Sequence, residues 1–284
     1  MSAYLEHALA FECQQETLVA VLATPSTQAC APVGLVIVVG GPQYRVGAHR
    51  QFVELARSAA AAGFPALRFD CRGMGDSTGN HPGFEALDDD IEAAIDTLQS
   101  QQPGIRRVLL WGLCDGAAAA ALYSARRKDP RVAGLALLNP WVRSEATLAR
   151  TQLKHWYGQR LLQPAFWQKV FSGGVGLTAA RDLLSNARLG IGRQPAPAAD
   201  FRSVMLAGLT QLPAPAQVHL AERDATAQEF DTLVDAEPAW RTLKDSGRLH
   251  LSRLPGADHT LTDAASRQTL ERDVVRQLTA VAAK

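Results

Sequence analysis

The sequence predicts an α/β fold: a mostly parallel, eight-stranded sheet with helices on both faces. Short apolar runs rich in β-branched residues, which are typical of buried strands, alternate along the chain with stretches whose apolar residues recur at helical spacing. The chain has 284 residues, of which 47% are hydrophobic, and this is enough to bury a large core.

The elements follow one another in a regular order. The first is an N-terminal antiparallel hairpin, FECQQETLVAVLATP, in which two alternating segments flank a polar turn. Strands are then predicted at VGLVIVVGG, FPALRFD, RRVLLWGL and VAGLALLNPW, and between them helices at HRQFVELARSAAAAG, GFEALDDDIEAAIDTLQSQQPG and DGAAAAALYSARRKD. The last two strands are AQVHLAERD and GRLHLSRLPGA, and the final helix is SRQTLERDVVRQLTAVAAK.

The alternation stops between residues 142 and 215, where only helix-like pieces occur. We predict a helical cap there, inserted into a core formed by residues 1–141 and 216–284. An insertion after the carboxyl end of a strand lies over the edge where open α/β sheets bind ligands, so the cap is a candidate lid. A second helical layer with no role in binding is the alternative. Trp156 and Tyr157 are candidates for an apolar substrate pocket, or for packing within the cap.

A nucleophile elbow is indicated by Gly112-Leu113-Cys114-Asp115-Gly116, which joins a predicted strand to a predicted helix. The glycines allow a close approach of strand and helix, and the helix N-terminus favours a thiolate. Cys114 is therefore the candidate nucleophile, and the N–H of Asp115 is a candidate oxyanion donor. Ser77 in RGMGDS has no helix directly behind it, so we predict a turn-stabilising role for it.

The base and its acid are predicted at the ends of the last two strands. His259 lies just past the last strand, and Asp224 lies just past the strand before it. Glu222 is an alternative acid two residues earlier, but the loop position of Asp224 gives it more freedom to reach the histidine. The chain order of nucleophile, acid and histidine is that of a nucleophile-elbow hydrolase.

The loop after the third predicted strand, GGPQYRVG, is expected to supply a second oxyanion donor. Pro42 has no N–H, so the donor is Gly41 or Gln43. Tyr44 and Arg45 follow and either line the substrate pocket or form ordinary loop surface.

Asp115, directly after the candidate nucleophile, allows two interpretations. In one, its carboxylate points to solvent and suits the first turn of the helix. In the other, its charge keeps the Cys114 thiol protonated until substrate arrives.

Composition excludes several other classes of protein. The formal net charge of +1 gives no field that would attract nucleic acid, and the apolar runs are too short to span a membrane. The N-terminus has no signal-peptide pattern, so we expect a cytoplasmic protein. No metal-ligand spacing occurs, and no cofactor is expected. The remaining cysteines are expected to be small buried hydrophobes: Cys13, Cys30 and Cys71.

These motifs resemble those of the α/β-hydrolase superfamily, and the cysteine at the elbow looks like the variant in dienelactone hydrolase. GGPQYRVGAHRQF, RFDCRGMGDS and WGLCDGA together resemble the exosortase A system-associated hydrolase 1 family. The resemblance implies an α/β-hydrolase fold and genes that lie beside exopolysaccharide and protein-sorting loci.

The predicted reaction is hydrolysis of a carboxylic ester or thioester, on a small-molecule or carrier-bound acyl substrate. An acyl-enzyme on Cys114 is the expected intermediate. An acyltransferase with the same site and a catalytically silent binding protein with this fold are the alternatives. The sequence leaves the oligomeric state open.

Overall fold

The computed structural model describes residues 3–26, 30–41, 43–143 and 200–283. Eight strands within these ranges form one sheet, in the spatial order β1-β2-β4-β3-β5-β6-β7-β8. The strands are β1 Tyr4–Cys13, β2 Glu16–Pro25, β3 Val33–Val38, β4 Ala66–Phe69, β5 Arg107–Leu113, β6 Val132–Leu138, β7 Ala216–Ala221 and β8 Leu249–Leu254.

The sheet is parallel from β4 to β8, and β2 runs against its neighbours on both sides. Strands β1 and β2 form the predicted hairpin, which turns at Gln14 and Gln15 with φ angles of 53° and 67°. Two consecutive left-handed residues are what a tight hairpin needs to match the twist of its strands. The predicted mostly parallel sheet with an antiparallel start is confirmed.

Helices cover both faces of the sheet, as predicted. Side chains of α1 and α7 share one buried apolar cluster with the sheet, and those of α2 to α6 share the other. The continuous apolar runs of the central strands follow from this arrangement, because a strand covered on both faces has no solvent side. The helices are α1 Gln51–Ala61, α2 Asp88–Gln101, α3 Asp115–Arg127, α4 Phe201–Gln211, α5 Ala225–Ala236, α6 Pro238–Asp245 and α7 Ala264–Ala282.

Part of the predicted cap region belongs to a described helix. Helix α4 packs against α3, and Gly208 lies so close to it that a Cβ there would be 2.2 Å from the Ala121 carbonyl oxygen. The alanine run of α3 makes this close crossing possible, since it has no larger side chains. The remainder of the predicted cap, with Trp156 and Tyr157, lies outside the described residues.

The cysteines outside the elbow do not all behave alike. Cys13 and Cys71 are buried, as expected of small apolar side chains. The expectation for Cys30 is wrong, because this residue is exposed. It lies in the connection between β2 and β3 rather than in a strand, and its Sγ is 3.8 Å from the side-chain oxygen of Gln102.

Candidate active site

Cys114 lies in a sharp turn between the end of β5 and the start of α3. Its φ of 57° and ψ of −121° are strained for a residue with a side chain. Hydrogen bonds to the first turn of α3 stabilise this turn, because the Cys114 carbonyl accepts from the N–H groups of Ala117 and Ala118. The thiol is thereby fixed at the carboxyl edge of the sheet and is partly exposed.

Three glycines, Gly40, Gly112 and Gly116, make this turn possible, and we call them the glycine junction. A Cβ at Gly112 would lie 2.5 Å from the Gly116 carbonyl carbon, and one at Gly116 would lie 2.5 Å from the Val38 carbonyl oxygen. A Cβ at Gly40 would meet the Gly116 nitrogen at 2.1 Å. Real Cβ atoms do not approach backbone this closely, so the ends of β3 and β5 and the start of α3 meet only because all three positions are glycine.

His259 connects the thiol to a carboxylate. Its Nδ1 lies 2.9 Å from Asp224 Oδ2, and its side chain also interacts with that of Cys114. The hydrogen bond to Asp224, followed by the interaction with Cys114, raises the pKa of His259 from 6.5 to about 10. The imidazole is therefore held in its charged form between the two partners, which is suited to protonating a leaving group.

Asp224 is also the N-cap of α5. Its carboxylate accepts hydrogen bonds from the N–H groups of Thr226 and Ala227, both at 3.2 Å, and the side chain is nearly buried. The alternative acid, Glu222, is directed elsewhere, because its Oε2 accepts from the Gly256 N–H at 2.8 Å. Of the two candidate acids, the structure therefore brings Asp224 to the histidine.

Asn139, which the sequence analysis did not single out, links the histidine loop to the strand that carries the acid. Its Nδ2 donates to the His259 carbonyl at 3.2 Å, and its Oδ1 accepts from the Ala221 N–H at 2.8 Å. The residue is fully buried and has a left-handed φ of 47°, which asparagine tolerates better than most residues. The Asn139-Pro140 pair directly after β6 is the local sequence signal for a special backbone position here.

The loop 40–47 after β3, which we call the oxyanion loop, already uses the N–H groups that were predicted to bind an oxyanion. The Gln43 N–H donates to the Gly41 carbonyl at 2.8 Å. The Gly41 N–H interacts with the Asp115 carboxylate. Pro42 lies outside the described residues. Each of the two candidate donors from this loop therefore has a partner within the protein.

Asp115 contacts this loop through its side chain. Its Oδ1 accepts from the Gly116 N–H at 3.0 Å, and the carboxylate also interacts with the N–H groups of Gly41 and of Asp115 itself. Burial raises the pKa of the Asp115 carboxyl, against the opposing effect of these N–H groups. The interpretation in which the carboxylate points freely to solvent is therefore wrong: the side chain turns back toward the end of β3.

Arg45 and Tyr44, the candidate substrate-binding residues of the oxyanion loop, differ in their surroundings. The Arg45 guanidinium pairs with the fully buried Asp70 carboxylate and lies 2.6 Å from Asp76. Its contacts anchor the loop to the turn after β4. Tyr44 is 47% exposed, which makes it a prominent apolar surface residue of the described part of the chain.

The RGMGDS turn has the structural role that its glycines and hydroxyl predict. Ser77 Oγ donates to the Asp70 carbonyl at 2.8 Å and accepts from the Val19 N–H at 2.9 Å. Arg72 makes a two-pronged pair with the buried Asp90 of α2. These contacts tie the turn to both the sheet and α2.

Two further findings apply to the described residues only. Within them, no group of three or more His, Cys, Asp or Glu side chains is arranged to hold a metal ion. In the same part of the chain, none of the helices combines the length and the apolar character that crossing a bilayer requires.

A family model described as serine aminopeptidase, S33, matches residues 31–185, which is more than half of the chain. The match includes the oxyanion loop, the RGMGDS turn and the elbow. The family description names a serine, whereas this chain has a cysteine at the elbow. No curated protein matches the chain significantly.

Solved structures with the same fold cover nearly the whole chain. An esterase from Pyrococcus furiosus has a TM-score of 0.63 at 15% identity, with 98% of this chain and 91% of that chain covered. A fungal esterase from Rhizomucor miehei has a TM-score of 0.61 at 18% identity, with coverage of 99% and 84%. A proline iminopeptidase from Mycobacterium smegmatis has a TM-score of 0.61 at 17% identity, with coverage of 97% and 99%. At these low identities, the TM-scores show that the folds are shared. The predicted α/β-hydrolase fold is confirmed.

Proposed function

The chain belongs to the serine aminopeptidase S33 family of α/β-hydrolases, and we propose that it hydrolyses a carboxylic ester or thioester through Cys114, His259 and Asp224. One observation carries the proposal: the His259 imidazole lies 2.9 Å from the Asp224 carboxylate and also interacts with the Cys114 side chain. A nucleophile, a base and an orienting acid in this arrangement are the parts that covalent acyl transfer needs.

The first half of the reaction forms an acyl-enzyme. The Cys114 sulfur attacks the carbonyl carbon, a C–S bond forms, and the carbonyl electron pair moves to oxygen. When the tetrahedral species collapses, the bond to the leaving group breaks and the His259 imidazolium protonates the departing oxygen or sulfur. Asp224 holds the imidazole in position and stabilises its charged form.

The second half returns the enzyme to its starting state. His259, now neutral, accepts a proton from water, and the resulting hydroxide adds to the thioester carbon. Collapse of this second tetrahedral species breaks the C–S bond, and the electron pair returns to sulfur. The products are a carboxylic acid and the thiolate–imidazolium pair.

An ester or thioester is the bond that we favour, because alcohols and thiols are better leaving groups than amines. The Pyrococcus furiosus and Rhizomucor miehei proteins are described as esterases, which supports this choice. The acyl donor that we propose is a small molecule or a carrier-bound acyl group. No metal or organic cofactor takes part in the steps above.

We also propose a cellular location and a gene neighbourhood for this protein. All four cysteines are unpaired, which supports a reducing compartment such as the cytoplasm. The likeness of WGLCDGA and the two other motifs to the exosortase A system-associated hydrolase 1 family supports a role beside exopolysaccharide and protein-sorting genes. Unchanged exopolysaccharide and protein sorting in a deletion strain would contradict that role.

The decisive experiment measures hydrolysis of 4-nitrophenyl butyrate by the wild type, Cys114→Ala and Cys30→Ala. Cys30 is an exposed cysteine without a histidine partner in the described contacts, so it controls for nonspecific acylation of a surface thiol. We expect Cys114→Ala to lower kcat/KM by about 10³-fold or more and Cys30→Ala to leave it within about twofold. Mass spectrometry of quenched wild-type enzyme should find the butyryl group on Cys114.

Other results would redirect the proposal. A wild-type rate in Cys114→Ala, or an acyl group found on Cys30 alone, would exclude the cysteine mechanism. An acyl-enzyme that transfers to an added alcohol faster than to water would indicate an acyltransferase. No reaction and no acyl-enzyme with a series of esters and thioesters would favour the silent binding protein.

A further inference from the structure

Asp115 carries a charged side chain inside the candidate oxyanion hole, where the proposed reaction has no use for a negative group. Its carboxylate interacts with the N–H groups of Gly41, Gly116 and Asp115 itself. Two of these, from Gly41 and Asp115, are the donors from which the sequence predicts stabilisation of the oxyanion. The carboxylate therefore occupies the place that a negatively charged oxygen of the substrate would take.

The space for this carboxylate is built by two glycines of the loop that follows β3, Gly40 and Gly41. A Cβ at Gly40 would lie 2.1 Å from Asp115 Oδ1, so a side chain at residue 40 would collide with it. Gly41 has a left-handed φ of 63°, which turns its N–H toward Asp115, and a Cβ there would be 3.7 Å from the same oxygen. The backbone of Gly40 and Gly41 therefore lies close to the Asp115 carboxylate on two sides.

We propose that the Asp115 carboxylate is an internal occupant of the oxyanion hole and that the hydrolase, resting on the cysteine chemistry proposed above, works through the neutral form of this side chain. Two negative oxygens in one small site repel each other, and one set of N–H groups cannot stabilise both. A neutral carboxyl is a weaker acceptor that an oxyanion can displace from the Gly41 and Asp115 N–H groups, and its own O–H is then a further donor for the oxyanion.

The groups that face Asp115 set how readily it becomes neutral. The His81 imidazole, from the loop after the RGMGDS turn, favours the charged form. The buried Cys71 thiol after β4 faces the carboxylate and Cys114 adjoins it, and a negative charge on either would favour the neutral form. Burial is the largest effect, and it raises the pKa of Asp115 above its usual range.

The test compares the wild type with Asp115→Asn and Asp115→Ser over a range from about pH 5 to about pH 9, using kcat/KM for 4-nitrophenyl butyrate. Both substitutions remove the charge, and serine also suits the first turn of a helix. Asp96→Asn is the matched control, because this exposed carboxylate of α2 pairs with Arg131 and undergoes the same change. The ratio of variant to wild type removes every titration that the substitution leaves unchanged, so what remains reports Asp115 and the groups coupled to it.

We expect the ratio for both Asp115 variants to rise with pH toward about 10²–10³, since one oxyanion donor is worth about that much in kcat. The ratio for Asp96→Asn should stay near 1 throughout. Folded Asp115 variants, checked by circular dichroism, whose ratio stays at or below 1 at every pH would overturn the proposal.

Adding Cys114→Ala to Asp115→Asn separates this idea from the proposed function. If the double variant keeps the rate of Asp115→Asn, the cysteine chemistry fails, and the role of Asp115 in it fails too. If Cys114→Ala abolishes activity while the ratio for Asp115→Asn is flat, only the internal-occupant proposal fails.

Discussion

The proton-transfer side and the oxyanion side of the candidate site differ in how their polar groups are bonded. On the proton-transfer side, Asp224, His259 and Asn139 form a continuous set of hydrogen bonds anchored in the ends of β6 and β7. On the oxyanion side, the N–H groups of Gly41 and Gln43 are engaged by the protein itself. The groups that move protons are therefore in place, whereas the loop N–H groups predicted to bind the oxyanion are occupied by the protein itself.

The largest expected effect on activity comes from replacing Asp224, the acid of the proton-transfer side. Asp224→Asn should lower kcat/KM by about 10²–10⁴-fold, because the neutral amide cannot stabilise the His259 imidazolium. The fold should survive, since asparagine also caps helices and its Oδ1 can accept from one of the two N–H groups. Steady-state kinetics measures the effect. Glu222→Gln is the control, and we expect it to stay within about threefold of the wild type.

The pH dependence of stability gives a second measure of the same pair. The pKa of His259 is raised from 6.5 to about 10, so its interactions stabilise the folded state fully below pH 6.5, and this stability is lost as the pH rises through about 10. Asp224→Asn should lower the pKa of His259 and weaken this dependence. An unshifted histidine titration in the variant, followed by NMR, would mean that Asp224 is not the partner.

A smaller effect on activity is expected from replacing Asn139, which bonds to the histidine loop of the proton-transfer side. Asn139→Ala removes the hydrogen bonds to the His259 carbonyl and the Ala221 N–H, and should cost about 1–3 kcal/mol of the free energy of unfolding. We also expect about a tenfold loss in kcat with KM little changed, because the histidine loop is held less firmly.

Asn139→Asp is a second variant, because it keeps the acceptor for Ala221 but replaces the donor to His259 with a carboxylate oxygen and adds a buried charge. If Asn139 positions the histidine, both variants should shift the pH profile of kcat. A loss of stability with an unchanged profile would assign Asn139 a purely structural role.

The smallest effect concerns the turn that joins the two sides. Cys114→Gly should raise the free energy of unfolding by about 1 kcal/mol relative to Cys114→Ala, because glycine adopts the φ of 57° without strain. Both variants lack the thiol, so the comparison isolates the backbone. Equal stability in chemical denaturation would mean that the elbow stores no strain.

The sequence carried enough information for the sheet and for the proton-transfer side. Buried strands and helices alternate in a pattern that local periodicity reveals, and Cys114, Asp224 and His259 each follow a strand, so the topology brings them to one edge. The elbow glycines have a strong local signature because sterics permit nothing larger there.

Other features depend on contacts between distant segments and leave little local trace. The direction of the Asp115 side chain is decided by the space beside Gly40 and Gly41, which only the folded sheet creates. Asn139 bonds with the histidine loop and with the end of β7, both far along the chain, and the residues next to it in the sequence do not indicate these partners. Cys30 was misjudged for a similar reason, since its exposure depends on how a connection lies against the fold.

The glycine junction has a consequence for how the protein is made. Gly40, Gly112 and Gly116 are all translated before the histidine and its acid, so the elbow takes shape from segments that leave the ribosome early. His259 and Asp224 are translated more than 100 residues after Gly116. We therefore expect a nascent chain to display the cysteine without its base, and its reactivity to begin only when the last strand joins the sheet.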